Sequence, residues 1–382
     1  MDLSNSNRIA IYLPSLRGGG AERAMATLAN GFAARGLSVD LVLANAEGPY
    51  LEDVDHHSVR VVDLQSRGVF FSLPGLVRYL RHEQPRVLFS ALSHANVVAV
   101  WARGLAEIPT RLVISERANL SVTQQFSPGF RQWLVPRFMR AAYPRADRIV
   151  AVSAGVADDL AIAINLPRER ISVVHNPIVT ETLLRQSNEP LTHPWLAPDA
   201  PPLILAAGRL APQKDFATLI HAFARLRSVR PARLMILGDG IMRDDLMTLA
   251  VELGAQKDVA MPGFVDNPFA WMRRSSLFVL SSAFEGLPGV LIQAMACDAP
   301  VVSTDCPSGP AEILENGRWG RLVPVGDVSA MAGAMAAALD DSAPPDVARR
   351  ALDFGMDQAV DGYLDVMFGR GGYGESSGVT VP

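Results

Sequence analysis

Three side chains in the second half of the chain have the chemistry to act together on an anionic group: the guanidinium of Arg209, the ammonium of Lys214 and the carboxylate of Glu285. Lys214 and Lys257 are the only two lysines among 35 basic residues, so a compact point charge stands where nearly every other cation is a planar fork of donors. A bidentate cation and a point cation close together suit a diphosphate. Glu285 lies in the stretch 281–296, SSAFEGLPGVLIQAMA, which follows the apolar run Leu277-Phe278-Val279-Leu280. The run reads as a buried parallel strand. Glu285 and Gly286 form the turn, Pro288 suits the first helical position, and Val290, Leu291, Ala294 and Met295 form the buried face of a helix. Backbone N–H groups and the helix dipole favour phosphate at such a place, and a carboxylate on its rim suits hydroxyls. Taken alone, Glu285 reads better as a helix-terminal charge that complements the dipole; its neighbours alter that balance.

Several of these neighbours follow apolar runs in the same way. Gly208-Arg209-Leu210 and Pro212-Gln213-Lys214-Asp215-Phe216 follow one run, Gly238-Asp239-Gly240 the next, Gly263-Phe264-Val265-Asp266 a third, and Ser308-Gly309-Pro310-Ala311-Glu312 a later one. Backbone near those glycines suits a flat base. Nearer the start, Gly18-Gly19-Gly20-Ala21-Glu22 links a strand to a helix, where glycines let amides approach a phosphate. Neither a dinucleotide fingerprint nor a P-loop is present there. His94, in Ser93-His94-Ala95-Asn96, and the pair Glu116-Arg117 also follow strands. In isolation His94 reads as a helix cap or a satisfied surface group, and Glu116-Arg117 as a solvated ion pair.

The elements that must hold these residues alternate. Strands are expected at 8–13, 38–43, 59–63, 86–90, 111–115, 148–152 and 171–175, with helices after the glycine loop and at 73–81, 96–104, 128–143 and 154–163. This is a doubly wound α/β domain spanning 1–180. The polar, Pro-rich stretch 181–202 reads as a linker. The pattern restarts with strands at 203–207, 233–238, 259–262, 277–281, 300–304 and 320–324 and helices at 214–228, 243–253 and 329–339, giving a second α/β domain over 203–343. A helical segment, 344–368, and a tail expected to be disordered, 369–382, complete the chain. Ligands of open α/β sheets bind at the carboxyl ends of the strands, so two such domains are expected to place those ends across a cleft.

Composition narrows the classes. The 382 residues are 49% apolar without an unbroken run long enough to span a bilayer, and the start MDLSNSNRIAIYLP lacks the features of a signal peptide. Cys297 and Cys306 form neither a disulfide framework nor a metal set, which fits a reducing cytoplasm. The net charge of −4 argues against nucleic acid as a partner. It is uneven: residues 1–180 carry 19 Arg and no Lys against 15 acidic residues. Residues 129–148 place Arg131, Arg137, Arg140, Arg145 and Arg148 among Trp133, Leu134, Phe138 and Met139. That segment reads equally as a peripheral contact with an anionic membrane and as a core-packing helix with a basic face.

In order and spacing, Gly208-Arg209 with Gln213-Lys214, Gly238-Asp239-Gly240, Phe284-Glu285-Gly286 and the helix after it resemble retaining glycosyltransferases of family 4 with the GT-B fold. The likeness runs from about Ile9 to Leu339 and is strongest from Gly208 to Gly326; the 18–22 loop and His175-Asn176-Pro177 fit it as well. It implies two Rossmann-like domains and sugar transfer from a nucleotide-activated donor with retained configuration. On that resemblance Arg209 and Lys214 neutralise the leaving diphosphate, Glu285 holds hydroxyls of the transferred sugar, and His94 lies near the reacting centre. Gly19, Gly20, Gly208, Gly238, Asp239, Val265, Gly286, Leu287 and Gln293 would bind the donor, with no metal or other cofactor. Gln293 departs from the pattern, which has a second Glu there for the ribose hydroxyls. Gln binds them without charge, and charge-assisted bonds are stronger.

The stretch 306–314, CPSGPAEIL, is similar to members that use UDP-hexoses or UDP-N-acetylhexosamines on lipid-linked and polysaccharide acceptors. A UDP-sugar donor, a glycan or polyprenyl-diphosphate-linked acceptor met by Arg117 and Glu116, and a cytoplasmic location, peripheral on the membrane's inner face, follow as expectations. The alternatives are a UDP-sugar epimerase on the same scaffold and a sugar-nucleotide-binding protein with weakened catalysis.

Overall fold

Apolar runs with no alternation need both faces covered, and the chain supplies helices for both. A computed structural model describes residues 7–17, 19–122 and 130–369, without the side chains of 130–134. The chain divides into two units, Met1–Pro177 with Met356–Pro382, and Ile178–Gly355.

The first unit is built on seven strands: β1 (Arg8–Leu13), β2 (Ser38–Leu43), β3 (Val59–Asp63), β4 (Val87–Ala91), β5 (Arg111–Glu116), β6 (Arg148–Ala151) and β7 (Ile171–Val173). They pair in parallel in the order β3-β2-β1-β4-β5-β6-β7. Helices α1 (Gly20–Ala34), α2 (Leu73–Glu83), α3 (Ser93–Ala106), α4 (Phe130–Ala142) and α5 (Ala154–Ile164) make the crossovers. The core joins Ile9, Ile11, Met25, Phe32, Leu41 and Phe89, all fully buried.

The second unit repeats the plan with β8 (Leu203–Ala207), β9 (Arg233–Leu237), β10 (Val259–Gly263), β11 (Leu277–Leu280), β12 (Val301–Thr304) and β13 (Arg321–Val323), in the parallel order β10-β9-β8-β11-β12-β13. Its helices are α6 (Glu181–Ser187), α7 (Phe216–Arg227), α8 (Arg243–Glu252), α9 (Pro268–Arg274), α10 (Gly289–Ala296), α11 (Pro310–Ile313), α12 (Val328–Leu339) and α13 (Val347–Ala351). In each sheet the order runs outward from β1 or β8 in both directions, and that reversal is where such sheets bind ligands.

Two expectations are corrected. Residues 181–202 are not a free linker: Thr180 caps α6 by accepting from the Leu183 N–H at 3.2 Å. Asn267 then donates to the Gln186 carbonyl at 2.9 Å and the Glu189 carboxylate at 2.8 Å, so the polar stretch is tied to the second unit. The C-terminal segment is not one helix either. Arg350 binds the carbonyls of Glu312 and Ile313, both at 2.9 Å, which keeps α13 in the second unit. The chain breaks at Phe354-Gly355, where the Phe354 carbonyl accepts from Ile178 and Val179. Only α14 (Met356–Phe368) belongs to the first unit, burying Val360, Tyr363, Leu364 and Met367 in its core. The disorder expected of the tail falls, from residue 370 on, outside the described residues.

Candidate active site

In the second unit, loops leaving the carboxyl ends of β8 and β11 are laced together. Ala283 N–H donates to the Gln213 carbonyl at 2.8 Å, and Gln213 Nε2 returns a bond to the Phe284 carbonyl at 3.0 Å. Ser281 Oγ donates to the Lys214 carbonyl at 2.7 Å. The side chains complete the pattern: Lys214 Nζ meets Glu285 Oε1 at 2.5 Å, and Ser282 Oγ donates to the same oxygen at 2.7 Å. Ser282 is itself held, because its carbonyl accepts from Thr304 Oγ1 at 2.6 Å.

Both charged groups are largely out of water, with Glu285 8% exposed. Removing one partner of such a pair strands the other charge, at a cost of about 3–5 kcal/mol. Glu285 Oε2 accepts no hydrogen bond from the described residues, which leaves one carboxylate oxygen able to accept a further one. Cys306 lies close enough for Glu285 to act on it; burial foremost, and then that carboxylate, pushes its thiol up to about 12.

Close backbone approach sets the glycines around this pair. A Cβ on Gly238 would fall 2.0 Å from the Gly208 carbonyl oxygen, at a φ of 128° that L side chains rarely adopt. The stem of Lys214 lies over Gly208, its Cε 3.1 Å from where a Cβ would stand. Gly309, at φ 101°, packs against Pro288 and Leu287, and Glu285 N–H donates to the Pro307 carbonyl at 3.3 Å. Pro288 proves to be the cap of α10 and not its first residue, so the helix starts at Gly289.

The other expected donor residues follow β8 (Arg209), β9 (Asp239), β10 (Val265) and β11 (Gly286 and Leu287), with Gln293 on α10. Arg209 is exposed and has no ion-pair partner among the described residues. Asp239 is exposed and closes its own turn, accepting from Gly240 N–H at 2.8 Å. Gly286 and Val265 are half-buried and Leu287 is buried. Gln293 is half-buried on α10 and makes no hydrogen bond through its side chain among the described residues. Sequence reasoning missed Ser282 and Thr304, which brace the carboxylate. It also passed over Ile241, left 89% exposed just past Gly240, while Phe264, named only as part of its loop, is 80% exposed. Their signal was an apolar residue next to a glycine just past a strand.

In the first unit Gly19 and Gly20 stand at the start of α1, and the expected phosphate amides carry a complication. Glu22 Oε2 lies 2.5 Å from where a Cβ on Gly19 would fall, so the helix's own carboxylate leans over its N-terminus. His94 occupies the first turn of α3 and does not cap it. Burial lowers its pKa, favouring the neutral ring. The turn before it places Leu92 at φ 78°, a strained conformation for a branched side chain.

Glu116 and Arg117 are not a solvated pair: both are buried. Glu116 is 1% exposed; its Oε1 accepts from the Tyr143 hydroxyl and from Asn96 Nδ2, the latter at 3.0 Å, and its Oε2 accepts from Ser93 Oγ at 3.0 Å. Burial pushes its carboxyl up to about 7, against the opposing hydrogen bonds of Tyr143, Ser93 and Asn96. Arg117 is 9% exposed and donates to Asn176 Oδ1 at 2.5 Å and to the Tyr363 hydroxyl at 3.2 Å. The two residues therefore fasten α3, α14, Asn176 and the residue after α4 to the end of β5. In the segment 129–148, Met139 and Tyr143 are buried while Arg137, Phe138 and Arg140 are exposed; residue 129 and the side chains of 130–134 lie outside the described residues.

Two parallel-sheet Rossmann-like units with this rim define the GT-B class of glycosyltransferases. Comparison with known families agrees in both halves. The description "Glycosyltransferase Family 4" matches residues 18–182, and "Glycosyl transferases group 1" matches 201–341. An N-acetylgalactosaminyltransferase of Campylobacter jejuni that acts on a diphospho-undecaprenol-linked sugar is 30% identical over 341 residues, covering 87% of this chain and 90% of that one. The lipopolysaccharide core glycosyltransferase LpsE of Rhizobium meliloti is 28% identical over 365 residues, covering 91% and 96%. The crystal structure of HepE from Anabaena, bound to UDP and glucose, superposes with a TM-score of 0.75 at 21% identity, covering 94% of this chain and 98% of that one. The chain belongs to glycosyltransferase family 4.

Proposed function

We propose that the protein transfers a hexose or N-acetylhexosamine from a UDP-sugar to a lipid-linked or polysaccharide acceptor, with retention and without a metal ion. The Lys214–Glu285 pair carries this reading, because it joins a phosphate-compatible cation to a carboxylate with one oxygen open, on loops laced by four hydrogen bonds. The similarity to an enzyme that acts on a diphospho-undecaprenol-linked sugar supports the acceptor class. In the reaction the anomeric carbon–oxygen bond to the diphosphate breaks and UDP leaves with the electron pair. The acceptor hydroxyl bonds to that carbon from the same face and gives its proton to the leaving phosphate. Arg209 and Lys214 stabilise the charge that develops on the diphosphate, the task a divalent ion performs elsewhere. Glu285 orients sugar hydroxyls, and neutral His94 contacts the transferred sugar. Gln293 meets the ribose, and the exposed ring of Phe264 offers a face to the base. A cytoplasmic location at the membrane follows from such an acceptor; among the described residues, no helix is long and apolar enough to cross a bilayer.

The uncharged Gln293 favours a second reading, a sugar-nucleotide-binding protein with weakened catalysis. One experiment separates the two. UDP-, GDP- and ADP-sugars are screened by thermal shift, since a true ligand raises apparent stability by mass action. The donor found is then incubated with a polyprenyl-diphosphate glycan and the product's anomeric configuration is read by NMR. Stabilisation by a UDP-sugar with UDP release and an axially or equatorially retained product supports transfer; stabilisation without turnover supports the binding protein; inversion rejects the mechanism.

A further inference from the structure

The ring of His94 is not held by a partner of its own. The side chain is half-buried, makes no hydrogen bond among the described residues, and owes its lowered pKa to burial alone. An imidazole without a partner takes its placement from the backbone that carries it. That backbone is strained: Leu92, the residue before α3, stands at φ 78°. Such a turn persists only where the structure around it over-determines it.

The bonds that hold the turn converge on Glu116. Ser93, the first residue of α3, does not cap the helix; its Oγ donates to Glu116 Oε2 at 3.0 Å. Asn96, three residues on, lies on the same face of the helix. Its Nδ2 donates to Glu116 Oε1 at 3.0 Å and to the Ser115 carbonyl at 2.9 Å. Its N–H closes the turn on the Leu92 carbonyl, also at 2.9 Å. Tyr143 braces the far side, donating to Glu116 Oε1 and accepting from Asn96 Nδ2 at 3.1 Å. One carboxylate thus ties both flanks of His94, with one oxygen to each. Burying a carboxylate is costly even when it is well bonded, and an apolar side chain would fill the same space more cheaply. An apolar side chain would not hold Ser93 and Asn96.

We propose that Glu116 is a positioning residue for the transfer reaction: through Ser93 and Asn96 it fixes the turn that presents His94 to the transferred sugar. The inference rests on the contact between His94 and that sugar proposed above. Glu116 then serves the reaction through His94 and not through the acceptor.

The test compares the full-length wild type with Ser93→Ala, Glu116→Gln, Glu116→Ala and His94→Ala in two measurements. The first needs no turnover: the pKa of His94 is followed through its ring shifts in NMR. In the wild type it lies below the ordinary 6.5. Ser93→Ala keeps the Glu116 carboxylate and frees one flank of the turn, so the value should rise toward 6.5 with the other histidines unmoved. The second uses the UDP-sugar that stabilises the protein in thermal shift, with a polyprenyl-diphosphate glycan as acceptor. Ser93→Ala should lower kcat about ten-fold and Glu116→Ala about 100-fold, each at unchanged KM for donor and acceptor, as misplacement of a reacting group does. Glu116→Gln still accepts from Asn96 and can donate to Ser93 Oγ, so it should recover most of the rate that Glu116→Ala loses. In a His94→Ala background Ser93→Ala should cost nothing further, because both act through one ring. If Glu116→Ala does not fold, Ser93→Ala and its cycle with His94→Ala decide. An unmoved His94 pKa in Ser93→Ala, a raised acceptor KM at unchanged kcat, or an equal loss of rate with and without His94 would overturn the proposal. His94→Ala with the wild-type rate would overturn it by another route, rejecting the contact of His94 with the sugar, while the pKa measurement by itself reports whether Ser93 and Glu116 hold the turn.

Discussion

Lys214 and Glu285 each complete the other, and the consequence differs for the two substitutions. Lys214→Ala removes the cation and leaves a buried carboxylate held by Ser282 alone; Glu285→Gln keeps the shape and an acceptor oxygen but loses the charge. Both should lower transfer by about 100-fold or more, the scale on which a preorganised electrostatic contact acts. Lys214→Ala should also lower unfolding free energy by about 3 kcal/mol, and Glu285→Gln by a similar amount, because each strands a charge. Chemical denaturation set beside single-turnover rates checks this; a rate loss without a stability loss would mean that the pair does not exist in the free protein. At Gln293 the expectation has the opposite sign. Gln293→Glu should tighten donor binding if the residue meets ribose, and unchanged affinity in calorimetry would remove it from that role. Glu22→Gln belongs with it: once the carboxylate over Gly19 loses its charge, a phosphate that binds the start of α1 should bind more tightly.

At the scale of elements, Glu116 joins strand β5 to the strained turn that presents His94, and its protonation is part of that joint. Its folded pKa, about 7, lies above the ordinary 4.5. Below pH 4.5 both folded and unfolded chains hold the proton. As pH rises from 4.5 to 7 only the unfolded chain releases it, so this group's contribution to stability falls by up to about 3 kcal/mol and is level above 7. Glu116→Gln, which can still accept from Tyr143, should abolish that slope; the difference between the two stability-versus-pH curves is the measurement, and parallel curves would refute it. The strand that carries Glu116 was legible in the sequence because a buried parallel strand is an unbroken apolar run, and the observed strands differ from expectation only at their ends. Where Glu116 and Arg117 point was not legible. A polar residue just past a strand looks the same whether it faces the rim or turns inward, and the deciding partners, Tyr143, Asn176 and Tyr363, are distant in sequence. Residues 181–202 misled for a related reason: a Pro-rich polar composition describes a free linker and a packed one alike, and the bonds from Asn267 decide between them. The Lys214–Glu285 pairing was legible as convergence on one site but not as a contact between the two side chains.

At the scale of the molecule, the first unit is closed by α14. Arg35 at the end of α1 pairs with Asp357 at 2.8 Å and with Asp361, and beneath those bonds α1 and α14 touch across Gly31. A Cβ on Gly31 would fall 2.5 Å from Val360 Cγ2 and 3.0 Å from the Met356 terminal methyl. Met356 can swing aside, but a β-branched valine in a helix has one strongly preferred rotamer and cannot. Gly31→Ala therefore sets two effects against each other. Alanine is the better helix former by about 1 kcal/mol, whereas overpacking a closed interface costs about 1–3 kcal/mol. The clash should win, lowering the first unit's stability and loosening α14. Gly31→Ala/Val360→Ala removes the obstructing methyl and should recover part of the loss beyond the sum of the single substitutions, because the two sites share one contact. Hydrogen exchange along α14, followed in the two single variants and the double, reads this directly. If Gly31→Ala instead stabilises the protein with α14 still protected, helix propensity has won and the interface is looser than the contact at Val360 implies.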